Sequence, residues 1–293
     1  MRLYKCCIDD TRGRLYGNYG FYSVWRSSEN HSLESVEIKD FLTDSDNDHR
    51  FIFAVFDAIN PCDVKLVELV GSFLKSSYTP SVAMVLNAPL LSENKWNALN
   101  TSISNSFDAV VNVSKLFSSW AIQSEGISAV ISGICRPLDR TGQGVFGLDY
   151  YDVFRFIYNA RTIFVGWGYM PIIDGAESLP DIMEAAKAAL SMLSSQISDL
   201  RKIRRILFHA EVLDTRFNVC DIYDACEMIW SRMSEEDEDF TISVQLEMNR
   251  LDEHPFKPRV FILASPEEAA NGKLSDKDID ALLAAGDKST VQR

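Results

Sequence analysis

The chain has 293 residues, of which 46% are hydrophobic and 24% charged, proportions typical of a soluble globular protein with one large domain or two of ordinary size. Its 42 acidic side chains outnumber 29 basic ones, and the net charge of −13 argues against nucleic acid or an anionic membrane as the main partner.

The sequence predicts a cytoplasmic protein that works without a cofactor. No apolar run approaches the roughly 20 residues that cross a bilayer, and the N-terminus MRLYKCCIDD has no block of signal-peptide length. The six cysteines include no C-x-x-C pair, and the four histidines are scattered. We therefore expect reduced thiols, no zinc site and no catalytic cysteine.

The first half of the chain predicts a parallel sheet. The aromatic segment MRLYKCCIDDTRGRLYGNYGFYSVW is typical of short antiparallel strands, whereas the continuous apolar run FIFAVF suits a strand covered on both faces. A helix begins after Asn60 or Asp63, with Pro61 tolerated at its start. SVAMVLNAPL and FDAVVNVS predict two more strands, and this alternation of strands and helices favours a parallel sheet wrapped by helices.

The second half predicts a smaller mixed domain. A helix at about 149–159 is followed by the strand ARTIFVGWGYM, and then by the helix SLPDIMEAAKAALSMLSSQIS and the strand KIRRILFHAEVL. The helix NVCDIYDACEMIWSRMS and the strands FTISVQLEM and RVFILAS complete a β-α-β-α-β-β order. The predicted domain boundary lies near residue 160.

One long run resembles the tubulin/FtsZ superfamily. It reads GISAVISGICRPLDRTGQGVFGLDYYDVFRFIYNARTIFVGWGYM, in which GLDYYD and TIFVGWG match that superfamily's entry into a central helix and the strand after it. SVAMVLNAPL, FDAVVNVSKLF and MEAAKAAL resemble further segments, and their order is preserved from about residue 50 to residue 265. The resemblance implies an α/β protein with a shortened tubulin/FtsZ-like fold.

The phosphate-binding loop departs from that superfamily. FtsZ-like GTPases place a glycine-rich loop after the strand that here reads FIFAVF, because bare backbone amides wrap closely around phosphates. This chain has DAINPCD, in which Asp57 and Asp63 bring negative charge, Pro61 removes an amide donor and no glycine occurs. Fewer than 60 residues precede that strand. The sequence therefore predicts a degenerate pseudo-GTPase and not an enzyme.

Carboxylates of the superfamily's catalytic loop have counterparts here. In FtsZ and tubulin polymers such carboxylates enter the nucleotide pocket of the next subunit, and Asp149 and Asp152 occupy matching positions, with Gly147 in place of the usual asparagine. These three residues are a candidate polymer interface. The alternative is that Asp149 caps the central helix and Asp152 lies in its first turn, where the helix dipole favours an acidic residue.

The C-terminal tail predicts a docking helix. After the linker-like PEEAANGK, Ser275 and Asp278 form a capping-box-like pair, and Gly286 ends the helix. Ile279, Leu282 and Leu283 form its apolar stripe. A lone helix this short is marginal in water and would order against a groove, in a partner or in its own domain.

The same segment resembles a known receiver-binding peptide. LSDKDIDALL is similar to the N-terminal segment of the flagellar switch protein FliM, which binds the phosphorylated response regulator CheY. The candidate partner-binding residues are Leu274, Ser275, Asp278, Ile279, Asp280, Leu282 and Leu283.

These observations predict a non-catalytic adaptor or scaffold. Its parts are a nucleotide-free parallel-sheet N-terminal domain (1–146), a central helix (147–160), a mixed-sheet C-terminal domain (161–265) and a flexible tail (266–293) with a docking helix at 275–285. The tail would recruit a CheY-like receiver domain or a flagellar or chemotaxis protein, and homo-oligomers fit the superfamily. Two alternatives stay open: a regulator of an FtsZ-like filament in cell division, acting through Asp149 and Asp152, and an enzyme with a new site in the old cleft.

Overall fold

The computed structural model describes residues 1–8, 49–74, 79–115, 127, 130–131, 133–135, 143–146, 148, 150–158, 160–169, 182–213, 218–233, 239–247 and 259–266. Within these ranges the strands are β1 Arg2–Ile8, β2 His49–Asp57, β3 Ser81–Leu86, β4 Ala109–Asn112, β5 Gln143–Phe146, β6 Arg161–Thr162, β7 Phe164–Tyr169, β8 Arg205–Leu213, β9 Asp239–Glu247 and β10 Arg259–Ser265. The α-helices with described bounds are α1 Pro61–Leu74, α2 Glu93–Ser104, α3 Tyr150–Tyr158, α4 Ile182–Ser194 and α5 Val219–Trp230.

The first sheet has the order β1-β2-β3-β4-β6. β2, β3, β4 and β6 run parallel, and β1 adds antiparallel to β2, with Leu3 opposite Ala54. Residues 51–56 and 81–86 are buried without interruption, which is why their sequences are continuously apolar. The predicted parallel sheet is confirmed, as is the antiparallel character of the first residues; 9–48 lie outside the described residues.

Helices cover both faces of this sheet. On one face, Val67 and Val70 of α1 pack with the side chains of Ile52 and Phe56. On the other face, Phe51, Phe53 and Val55 of β2 lie in a second buried cluster. Val153 and Ile157 of the central helix α3 belong to that cluster. The predicted helix at 149–159 is thus present as α3 and lies against the first sheet.

The second sheet is mixed and has the order β5-β9-β8-β10-β7. β8 and β9 are parallel, and the other neighbouring pairs are antiparallel. Helices α4 and α5 pack on one face through their buried alanines and isoleucines. Gly166 and Gly168 of β7 allow this approach, because a Cβ at either position would overlap a backbone carbonyl of α4.

The side chain of Gln196 completes the outer edge of β7. Its Nε2 donates to the carbonyl oxygen of Val165 at 2.6 Å and to that of Met192 at 2.9 Å, while its Oε1 accepts from the Val165 amide at 3.3 Å. Gln196 is buried, so these bonds satisfy backbone groups of an edge strand that water does not reach freely.

Two strands cross the predicted domain limits. Residues 143–146 pair with β9 in the second sheet, although the sequence places them in the 1–146 domain, and Arg161–Thr162 pairs with β4 in the first sheet, although the sequence places it in the 161–265 domain. The segment predicted as one strand, ARTIFVGWGYM, is therefore two strands in different sheets. Arg161 adopts φ 43°, which turns the chain between them.

One hydrophobic cluster contains residues of both sheets. Leu207 and Leu263 of the second sheet join the cluster that contains Phe51 and Phe53 of the first. Ser265 Oγ donates to the carbonyl oxygen of Ala160 at 2.7 Å across a buried contact. The Arg205 guanidinium lies 5.8 Å from the centre of the Phe156 ring.

Candidate functional site

The carboxyl ends of β2, β3 and β4 meet at one edge of the parallel sheet. In open α/β sheets the loops at this edge form the ligand site. Here they are residues 57–63 after β2, residues 87–92 after β3, and residues 112–115 after β4. The turn at Val113–Lys115 contacts the turn at Ala88–Leu90, so the three loops form one continuous surface.

Asp57 ties the first two loops together. Its Oδ1 accepts a hydrogen bond from the Ile59 amide at 3.0 Å, and its Oδ2 accepts one from Asn87 Nδ2 at 2.9 Å. Asn87 adopts φ 57°, a left-handed conformation that asparagine tolerates better than most residues. The Asp57 carboxylate therefore uses both oxygens within the chain.

Asp63 is the buried acid of the site. It lies in the first turn of α1, where the helix dipole favours a carboxylate, and it is 5% exposed. Its Oδ2 accepts from the Asp57 amide at 3.0 Å, and its Oδ1 accepts from the amino group of Met1 at 2.6 Å. The ion pair with Met1 compensates the charge that burial would otherwise disfavour.

The amides of this loop donate to acceptors inside the chain. Beyond the amides of Asp57 and Ile59, the Ala58 amide donates to Leu86 O at 3.0 Å, and the Asn60 amide donates to Asp57 O at 3.2 Å. The Cys62 amide donates to the side-chain Oδ1 of Asn60, and the Val64 amide donates to the Asn60 carbonyl oxygen, each at 3.0 Å. Pro61 has no N–H. Since an amide has one proton, a ligand phosphate at these positions would have to break existing hydrogen bonds.

Two polar atoms at the end of β4 are buried without a hydrogen-bond partner among the described residues, namely Asn112 Oδ1 and Ser114 Oγ. Each such atom costs about 1–3 kcal/mol unless a water or a ligand binds it. Asn112, Ser114 and Asn87 were not among the site residues predicted from the sequence. The signal that would have found them is a polar side chain directly after a buried parallel strand, at the edge where such strands end together.

The outer surface of this edge is partly apolar. Ile59 is 46% exposed and Leu90 is 70% exposed, and Pro61, Cys62 and Pro89 are exposed beside them. Large apolar side chains in contact with water at a loop edge suit a protein surface better than they suit a triphosphate.

The other predicted site residues lie mostly outside the described part of the chain. Gly147, Asp149 and the tail residues Leu274, Ser275, Asp278, Ile279, Asp280, Leu282 and Leu283 are among those not described. Asp152 lies in the first turn of α3, half-buried. Its place in the first turn is the position that the helix-dipole alternative predicts.

In the described ranges, no cluster of histidine, cysteine, aspartate or glutamate is arranged to hold a metal ion. None of the helices in that part of the chain has both the length and the apolar composition to cross a membrane.

The described cysteines differ in their expected reactivity. Cys62 and Cys220 are exposed, whereas Cys226 is buried, and burial raises the pKa of its thiol from 9.0 to about 12. We expect iodoacetamide at pH 8 to alkylate Cys62 and Cys220 in the folded protein and to reach Cys226 only after unfolding, as read by peptide mass spectrometry. The stability that the neutral Cys226 thiol contributes is complete below about pH 9 and is lost as the pH rises towards 12. Alkylation of Cys226 at the rate of Cys62 would contradict this assignment.

Two sheets joined by a central helix, with the loops of the parallel sheet at one edge, define an α/β protein of FtsZ-like architecture. A tryptophan-to-tyrosine mutant of FtsZ from M. jannaschii is similar, with a TM-score of 0.57 at 15% identity over 79% of this chain and 68% of that protein. An FtsZ dimer from M. jannaschii, described as empty, gives a TM-score of 0.57 at 16% identity over 83% and 73%. No protein-family model and no curated protein matches the sequence. At these identities the likeness shows the fold.

Proposed function

We propose that this chain is a non-catalytic FtsZ-like protein, a pseudo-GTPase that works in the cytoplasm as an adaptor or scaffold through protein contacts. The observation that carries the proposal is the loop at residues 57–64. Six of its amides donate within the chain, those of Asp57, Ala58, Ile59, Asn60, Cys62 and Val64, and its two carboxylates lie where a phosphate-binding protein needs positive or neutral donors. The exposed Ile59 and Leu90 on the same edge support a role in protein contact.

Nucleotide binding is the direct test of the pseudo-GTPase. We expect a fluorescent GTP analogue to show no saturable, Mg²⁺-dependent binding to this chain at concentrations up to roughly 1 mM. This corresponds to a binding free energy weaker than about −4 kcal/mol. A genuine FtsZ measured in the same buffer is the positive control. Micromolar binding that depends on Mg²⁺ and is displaced by unlabelled GTP would overturn the proposal.

The partner contact in this proposal is made by the C-terminal tail. Its support is the sequence, since LSDKDIDALL combines an N-cap, an apolar stripe and a resemblance to the CheY-binding segment of FliM. Few side chains would be buried, and ordering the helix costs part of the gain, so the affinity should be roughly micromolar.

Receiver binding tests the tail. We expect CheY-like receiver domains, with a phosphoryl mimic, to bind the full chain, and the combination of Ile279→Ala with Leu283→Ala to weaken binding at least about tenfold. Val291→Ala, an apolar truncation beyond the predicted helix, is the matched control and should leave the affinity unchanged. Isothermal titration calorimetry gives each affinity.

Absence of binding to every receiver would bring forward the second candidate, a regulator of an FtsZ-like filament. The feature that favours it is the sequence match of Asp149 and Asp152 to the catalytic-loop carboxylates of the tubulin/FtsZ superfamily. In that case the chain should change the light scattering of a polymerising FtsZ, and Asp149→Asn with Asp152→Asn should abolish the change.

A further inference from the structure

One flank of α5, next to its buried face, carries a stripe of large, partly exposed apolar side chains. Val219 is 37% exposed, Tyr223 is 56% exposed and Trp230 is 44% exposed. With 3.6 residues per turn, these three positions fall within about 40° of one another and extend over about 16 Å of the helix. We call these three residues the α5 stripe.

Core packing leaves a large part of each side chain of the α5 stripe in contact with water. The buried face of the helix is made by Ile222, Ala225, Cys226 and Ile229, which pack in the core of the second sheet. Tyrosine and tryptophan are the side chains that most often anchor protein interfaces, because they bury much apolar area while keeping a polar group for the rim. One tyrosine and one tryptophan in a row with a valine indicate a contact with another protein.

Acidic residues border the α5 stripe on the side away from the core. Glu227 and Asp224 are exposed and lie about 80° and about 140° around the helix from Val219. The sequence of α5, VCDIYDACEMIW, contains no lysine or arginine. The chain as a whole carries a net charge of −13, so its long-range field also attracts a basic partner.

We propose that the α5 stripe docks a basic amphipathic segment of another protein. Apolar side chains of the partner would cover Tyr223 and Trp230, and its lysines or arginines would face Asp224 and Glu227. This surface is separate from the tail and from the carboxyl edge of the parallel sheet, so the inference goes beyond the adaptor role and does not depend on the tail.

The chain's own tail fits this surface less well. About nine residues separate Pro266 from Ser275, a linker that spans roughly 30 Å when fully extended. Charge decides, because Asp276, Asp278 and Asp280 of the tail helix would approach Asp224 and Glu227.

A pair of designed peptides tests the proposal. Both carry leucine at helical positions i, i+3, i+4 and i+7, and the polar positions are lysine in one and glutamate in the other. Fluorescence anisotropy with the full chain should show micromolar binding of the lysine peptide, at least about tenfold weaker binding of the glutamate peptide, and loss of affinity as NaCl is raised.

Variants of the full chain locate the binding. Tyr223→Ser with Trp230→Ser should weaken binding of the lysine peptide at least about tenfold, and Asp224→Asn with Glu227→Gln should flatten its salt dependence. Asn94→Ser, an exposed substitution on α2 that leaves the charge and the apolar surface unchanged, is the control and should not alter the affinity. Circular dichroism should show unchanged folding, since all these side chains are exposed.

Three results would overturn the proposal: no binding of the lysine peptide, equal binding of both peptides, or unchanged affinity after the Tyr223 and Trp230 substitutions. A fourth concerns the tail. If the lysine peptide binds only after Ile279→Ser and Leu283→Ser are introduced into the full chain, the tail occupies the α5 stripe and a partner in trans is the wrong occupant.

Discussion

Gly168→Ala is expected to destabilise the protein by about 3 kcal/mol or more, the upper range for adding a methyl group to a closely packed site. A Cβ at this position of β7 would overlap the carbonyl oxygen of Ala185 and lie 2.9 Å from the Cβ of Ala188. The main obstacle is the backbone of α4, which cannot turn aside as a side chain can, so β7 and α4 would have to separate. Urea unfolding followed by circular dichroism measures the change.

Gly133→Ala is the matched control, because it adds the same methyl group against a different obstacle. There the Cβ would lie 2.9 Å from the ring of Phe261, a buried side chain and not backbone. Gly133 is helical, so alanine also regains up to about 1 kcal/mol of helix propensity. We expect a smaller net loss, about 1 kcal/mol, than for Gly168→Ala. Equal losses for both substitutions would show that the backbone obstacle at Gly168 costs no more than the side-chain obstacle at Gly133.

Asp63→Asn is expected to destabilise the protein by about 3 kcal/mol, because it removes one partner of a buried ion pair. The amino group of Met1, which lies 2.6 Å from the Asp63 carboxylate, would lose the opposite charge that compensates it at a buried position. The same side chain accepts from the Asp57 amide, so the loop at 57–63 and the first strand should loosen together. Urea unfolding gives the loss, and hydrogen exchange of β1 amides tests the loosening.

Glu93→Gln controls for the helix dipole, since Glu93 is also an acidic residue in a first helical turn, but it is exposed. It should cost about 0.5 kcal/mol. If Asp63→Asn costs no more than Glu93→Gln, the ion pair with Met1 contributes nothing and the carboxyl edge is held by other contacts.

The regular elements followed largely from local sequence. The apolar run FIFAVF, the helical spacing after Pro61 and the strands around SVAMVL and AVVN are where the pattern predicts them. Residues buried on both faces leave a continuous apolar run, and helices leave a period of 3.6, so neighbours along the chain suffice. The FtsZ-like fold was predicted from the order of these pieces.

The pattern was insufficient where one segment serves two sheets. ARTIFVGWGYM has uninterrupted strand character, yet Arg161–Thr162 pairs with β4 while Phe164–Tyr169 pairs with β10. Strand propensity measures how well a residue packs on a pleated, buried surface, and both sheets offer such a surface. Local sequence does not specify which distant strand is the neighbour.

The sequence predicted the charged residues of the candidate site, but it did not predict the contacts between them. Asp57, Asp63 and Pro61 were identified in the sequence as unsuited to phosphate, while Asn87, Asn112 and Ser114 were not identified. The bonds of Asp63 to Met1 and of Asn87 to Asp57 join residues 62 and 30 positions apart. Such pairs become neighbours only when β1, β2 and β3 align.

By itself, the sequence determined the type and order of most elements and the absence of a glycine loop, because propensity, periodicity and residue identity are properties of short segments. Only the tertiary structure decided which amides of the loop at 57–64 are already occupied and that Val219, Tyr223 and Trp230 remain exposed on α5. Hydrogen bonding and burial depend on which elements pack together, and that is set by the whole chain at once.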